Sequence, residues 1–128
     1  MRAVGALVSV VVPVYRDDAA LDALTRALPE DPRLEVIVAA PPPLGRGAQM
    51  NAGARRASGV WLLFVHADSH LPPRWLDAFA AATGDSRVCG GWFRFAIAAD
   101  AWQARVIERL VHLRVHMFRL PYGDQAIF

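Results

Sequence analysis

Three short, largely apolar runs punctuate the chain at Val8–Val14, Leu34–Val38 and Val60–Val65. They are rich in β-branched residues and bounded by Pro, Gly or Asp. Such runs read as strands, the unbroken ones buried on both faces. Between and after them, apolar positions recur at helical spacing. Leu21, Leu24 and Leu28 share one face of a first helix, with Asp17 and Asp18 ahead of it as N-cap oxygens and Pro29 and Pro32 closing it. Pro41-Pro42-Pro43 ends the second strand, since proline cannot join a ladder. Gly45-Arg46-Gly47 opens a short helix over Ala48–Ala57, which Ser58-Gly59 closes.

Pro72-Pro73 begins a helix carrying Trp75, Leu76 and Phe79 and ended by Gly84. Val88–Ile97, with Gly90-Gly91 ahead of the alternating Trp92-Phe93-Arg94-Phe95, predicts a further strand. A long helix is predicted from Ala101 to Met117. Trp102, Val106, Leu110, Leu113 and Met117 form a narrow stripe on its wheel and are expected in the core. Strand–helix alternation predicts an α/β fold with a mostly parallel sheet flanked by helices.

Composition narrows the class. With 128 residues the chain is expected to form one domain over 1–128, and its 55% apolar content suits a buried parallel sheet. All 14 basic residues are Arg, which together with abundant Ala points to coding bias. A net charge of +2 without an aromatic-interleaved basic stripe argues against a nucleic-acid partner. Cys89 is the single cysteine, so a disulfide framework is ruled out and a reducing, cytoplasmic setting is expected. Ala3–Val14 mimics a signal-peptide core. Pro13, the β-branched content and the lack of a small-x-small site before Asp17-Asp18 make it a first strand instead. No run reaches the roughly 18 apolar residues that span a bilayer.

Four constellations carry candidate chemistry. His66-Ala67-Asp68 follows the most apolar strand, where parallel sheets present ligand sites. A carboxylate there suits a divalent metal, although loops also favour Asp for turn hydrogen bonds. In Gly45–Gly53, glycines, a helix N-terminus and the Arg46 fork suit a phosphate, without matching a Walker loop or a dinucleotide fingerprint. Leu120-Pro121-Tyr122-Gly123-Asp124-Gln125 is a turn that needs no function, or one that offers Asp124 and Gln125 to sugar hydroxyls. Arg105, Arg109, His112 and His116 lie together beside the apolar stripe of the long helix. His112 and His116 have metal-pair spacing without a third ligand, so snorkelling flank residues or a weak anionic contact describe them better.

Taken in order, these residues resemble the family 2 glycosyltransferases of the GT-A fold, and within them the radical-SAM/selenodomain-associated transferase branch. The resemblance rests on Val8–Val14, Gly45–Gly53, Leu63–Ser69, Gly90–Arg94 and Leu120–Phe128. It implies a nucleotide-diphosphate sugar donor, an acceptor of unknown identity and transfer with inversion, assisted by Mn²⁺ or Mg²⁺. By the same resemblance Pro13, Tyr15, Arg46, Gln49, Asn51, His66 and Asp68 bind the donor. Asp68 is the metal ligand, and His66 replaces the first carboxylate of an Asp-x-Asp motif. Gly90, Gly91, Gly123, Asp124 and Gln125 are implied on the acceptor side.

Two departures from the family pattern stand out. Ala39-Ala40-Pro41 replaces the acidic residue that recognises the base, in a unit compressed to about one strand. The general base of the family, an Asp following Glu, lies further downstream, whereas the sequence stops at Phe128. The fold is thus expected to be incomplete at the C-terminus, leaving Asp124 as the candidate base. Apolar surface exposed by such truncation predicts a homodimer or a peripheral membrane contact. The alternative is a catalytically deficient nucleotide-sugar-binding or scaffold module. A nucleotidyltransferase on a related sheet fits less well.

Overall fold

Val8, Val10 and Val11 are wholly shielded from solvent because the strand that carries them has neighbours on both sides and both faces. The computed structural model describes residues 5–15, 19–121 and 125–128. The order of elements is β1 (Val8–Pro13), α1 (Ala19–Ala27), β2 (Leu34–Ala39), α2 (Arg46–Arg56), β3 (Trp61–Phe64), α3 (Trp75–Thr83) and α4 (Trp102–Phe118). The three strands form one sheet in the order β2-β1-β3, with both pairs parallel. Val8 lies opposite Leu34 on one side and Trp61 on the other.

Alternation along β1 divides the two faces. Val8, Val10 and Val12 join Leu24 and Leu28 near α1 and Trp75, Leu76 and Phe79 of α3 in the main core. Val11 points to the opposite face, where α2 lies against it. That approach requires Gly53: a Cβ there would overlap Val11 Cγ1 and touch Ala39 Cβ at 3.4 Å. The family-like α/β architecture expected from the alternation of runs is therefore present, with helices on both faces of a parallel sheet.

A polar clamp sits at the opposite end of β1. The buried Ser9 hydroxyl donates to the Glu35 carboxylate on β2 and accepts the Gly59 N–H at 2.8 Å. Glu35 also accepts the Ser58 N–H at 2.9 Å and the Ser58 hydroxyl at 3.1 Å. One carboxylate thus joins β1, β2 and the turn from α2 into β3. The Ser9 hydroxyl, followed by the Ser58 N–H, holds the Glu35 pKa below the ordinary glutamate value.

Several sequence expectations shift in register or are overturned. Asp17 and Asp18 lie outside the described residues. Helix α2 starts two residues early, at Arg46, because Gly45 takes φ 100° and serves as its N-cap. Helix α3 starts at Trp75, after Arg74 in a left-handed conformation. The strand expected over Val88–Ile97 is not formed. Only Trp92 bridges, antiparallel, to Ile127, which also bridges Phe64 of β3. The reason lies in competing partners for the backbone beyond Arg94. Ile97 donates its N–H to the Glu108 carboxylate at 2.6 Å, and Arg105 takes the Ile97 and Ala99 carbonyls at 2.8 and 2.7 Å.

The core role expected for the stripe on α4 is also overturned. Trp102, Val106, Leu110, Leu113 and Met117 are 42–71% exposed, whereas Ala104 and Val115 are buried. At 100° per residue, Ala104 and Val115 stand almost opposite the stripe. The Glu108 and Arg105 bonds to 97–99 flank the buried pair and fix the rotation of the helix.

Two stability predictions follow from this packing. Replacing Glu35 by Gln is expected to cost about 1.5–3 kcal/mol near neutral pH, the range for hydrogen bonds to a charged group. Because the folded pKa is depressed, the difference should persist above the ordinary glutamate pKa and shrink as pH falls through the folded value. Urea titrations of both proteins across pH 3–7 measure it. Gly53→Ala should lower stability by about 1–3 kcal/mol through overpacking, outweighing the ~1 kcal/mol gain in helix propensity. Adding Val11→Ala should recover part of that loss in the same assay.

Candidate functional site

Strand order decides where ligands can gather. The chain passes from β1 to β2 on one side, then crosses back to β3 on the other. The crevice at the carboxyl ends of β1 and β3 is therefore a topological switch point, the usual ligand position in open α/β sheets. A cleft of about 360 Å³ opens there. Pro13, Val14 and Tyr15 supply one wall, His66, Ala67 and Asp68 the other, and Gly45, Arg46 and Gln49 of the α2 N-terminus the third.

Each wall has a local cause. Val14 N–H donates to Ala39 O at 3.1 Å, which keeps the β1 edge straight beyond the strand proper. Val65 N–H donates to Val11 O at 3.1 Å, after which Ser69 N–H closes a turn onto His66 O at 3.0 Å. That turn presents Asp68 to solvent. Asp68 is exposed, so its charge is hydrated and carries no burial cost.

The α2 ladder begins with Gln49 N–H donating to Gly45 O at 3.0 Å. The N–H groups of Arg46, Gly47 and Ala48 thus have no acceptor within the helix and lie at its positive end. Gln49 is buried, and its side-chain amide donates to Val14 O at 2.5 Å, tying α2 to the end of β1. Arg46 is exposed at the mouth of the cleft.

Six of the seven residues assigned to the donor thus share one cleft: Pro13, Tyr15, Arg46, Gln49, His66 and Asp68. Asn51 does not line it and is exposed further along α2. A second groove of about 700 Å³ begins at Asp68 and continues past Ser69, His70, Phe93 and Arg94 to Gln125. Asp68 therefore marks the boundary between two adjoining cavities.

Gly90 and Gly91 line neither cavity. A Cβ on Gly90 would approach Phe128 O at 2.9 Å, and one on Gly91 would meet the Phe128 ring at 2.5 Å. Both glycines make room for Phe128, whose ring packs edge-on against Phe79, Trp61 and Phe93 with centroids 4.9, 6.0 and 6.3 Å away. Gly91 and Phe128 also exchange two backbone hydrogen bonds of 2.9 Å. Gln125 is buried and borders the second groove, while Gly123 and Asp124 lie outside the described residues.

Sequence reasoning did not single out Arg94 or His70 as site residues. The lone charge in Trp92-Phe93-Arg94-Phe95 was the available signal for Arg94, and His70 gave none. Among the described residues no three His, Cys, Asp or Glu side chains converge as a preformed metal cage.

Comparison with known proteins bears on the family of the chain. The profile of the family described as Glycosyl transferase family 2 matches residues 17–124. No curated protein and no solved structure gives a significant match. The match spans most of the chain, including α2, β3 and the Asp68 turn around which the cleft is built. The chain belongs to the family 2 glycosyltransferases.

Proposed function

We propose that the chain transfers a glycosyl group, with inversion, from a nucleotide-diphosphate sugar in the first cleft to an acceptor in the second groove. The observation that carries this reading is the convergence of six expected donor residues at the switch point, with Asp68 shared by both cavities. The run Gln49–Gly53, His66–Ser69 and Tyr122–Gln125 supports the radical-SAM-associated branch of the family. The lone Cys89 agrees with a cytoplasmic setting.

The chain's own groups divide the work. The Arg46 guanidinium and the unengaged N–H groups at the start of α2 bind the diphosphate oxygens. Tyr15, at the end of β1, lies on the side of the cleft where the nucleoside would extend. Gln49 acts through Val14, holding the β1 edge in register with the helix N-terminus. Asp68 would hold Mn²⁺ or Mg²⁺. One or two protein donors suffice for such an ion when diphosphate oxygens and water complete its shell, so the small donor set fits. When bound, the ion would neutralise charge growing on the departing nucleotide. On the acceptor side, Asp124 is the proposed base that removes the proton from the attacking hydroxyl.

A second reading is a nucleotide-sugar-binding module without turnover. It draws on one observation: Asp68 is the only carboxylate lining the second groove among the described residues.

Calorimetric titration with UDP and Mn²⁺ tests the donor site. Asp68→Ala should weaken binding at least tenfold, and binding indifferent to that change would overturn the reading. Sugar-nucleotide hydrolysis separates the two readings. The enzyme reading expects a measurable rate that Asp68→Ala abolishes. It also expects Asp124→Asn to lower the transfer rate by roughly 10²- to 10⁴-fold, the range for a general base, with UDP affinity unchanged.

A further inference from the structure

The exposed face of α4 is unexplained by glycosyl transfer. Its apolar stripe, Trp102, Val106, Leu110, Leu113 and Met117, stands outward along the helix. Phe118, on another face by the same helical spacing, and Leu120, beyond the helix, are also exposed, at 64% and 56%. A band of basic groups runs beside this stripe. Arg94 on the adjoining segment and Arg105, Arg109, His112 and His116 on the helix line a cavity of about 590 Å³ together with Glu108 and Leu113. Arg105 is engaged by Glu108 at 2.9 Å. Arg94 and Arg109 have no acidic partner among the described residues. The His112 and His116 rings lie tilted at 46° with centroids 4.2 Å apart, in the wall of the same cavity.

We infer that α4 seats the protein on an anionic phospholipid surface. Three features converge on that occupant. The stripe is apolar and runs from Trp102 to Met117, side chains of the kind that settle at the acyl boundary. The flanking band includes Arg94 and Arg109, which have no acidic partner among the described residues, so it complements lipid phosphates rather than another apolar face. No described helix is long and apolar enough to cross a membrane, so the contact lies in the interface plane. Arg94 borders both this basic cavity and the groove that begins at Asp68, so lipid contact adjoins the acceptor side. The inference goes beyond the donor chemistry and does not require it.

The test uses the intact chain with vesicles of mixed phosphatidylglycerol and phosphatidylcholine, and with pure phosphatidylcholine as control, without any sugar nucleotide. Cosedimentation should favour the anionic vesicles and weaken with added salt. Arg109→Gln should reduce partitioning about fivefold, the expected effect of one cation near the surface. The Leu110→Ser/Leu113→Ser double variant should reduce it more than tenfold. Vesicles should shift tryptophan emission to the blue, and Trp102→Phe should remove most of the shift. Circular dichroism of each variant checks the fold. Equal binding to neutral vesicles, no binding, or an unchanged emission spectrum would overturn the inference. So would a concentration-dependent dimer that the double serine variant dissociates, since a second copy would then cover the stripe.

Discussion

The parallel pairing of β1 between β2 and β3 is the constraint on which everything else rests. A strand buried on both faces and paired on both edges satisfies its backbone groups only through its neighbours, so their register is fixed with it. Parallel pairing then brings three carboxyl ends to one edge. Because β2 and β3 flank β1 on opposite sides, that edge must open between β1 and β3. The Glu35–Ser9–Ser58 clamp locks the other end of the same strands.

Helix α2 translates this constraint into a binding surface. Gly53 lets the helix lie on Val11, and Gln49 fastens its first turns to Val14. The close fit at Gly53 and the Gln49–Val14 bond leave little room for adjustment, so the helix N-terminus and Arg46 are placed relative to Asp68 by packing. The far wall is set differently. Ile127 bridges Phe64 and Trp92, and the Phe128 ring fills the space left by Gly90 and Gly91. This strip aligns Phe93 and Arg94 along the second groove.

Helix α4 shows how an amphipathic pattern misleads. Its stripe is as regular as those of α1 and α3, yet the helix rests on Ala104 and Val115. Hydrophobic periodicity says that a face will be covered, without saying by what. The Glu108 and Arg105 bonds to 97–99 choose the other face for the protein and leave the stripe exposed.

The sequence alone determined the three strands, the α/β class, the helices and the residue types able to hold a diphosphate, because these follow from local periodicity and turn chemistry. It identified Asp68 and Arg46 as chemistry-bearing, while the exposure of Asp68 follows from the turn after β3. Strand order, the meeting of Arg46 with Asp68, the role of Gly90 and Gly91 as space for Phe128, and the rotation of α4 were decided only by the tertiary structure. Each depends on contacts between residues far apart in the chain, and no local pattern encodes which distant partner a face or an edge will find.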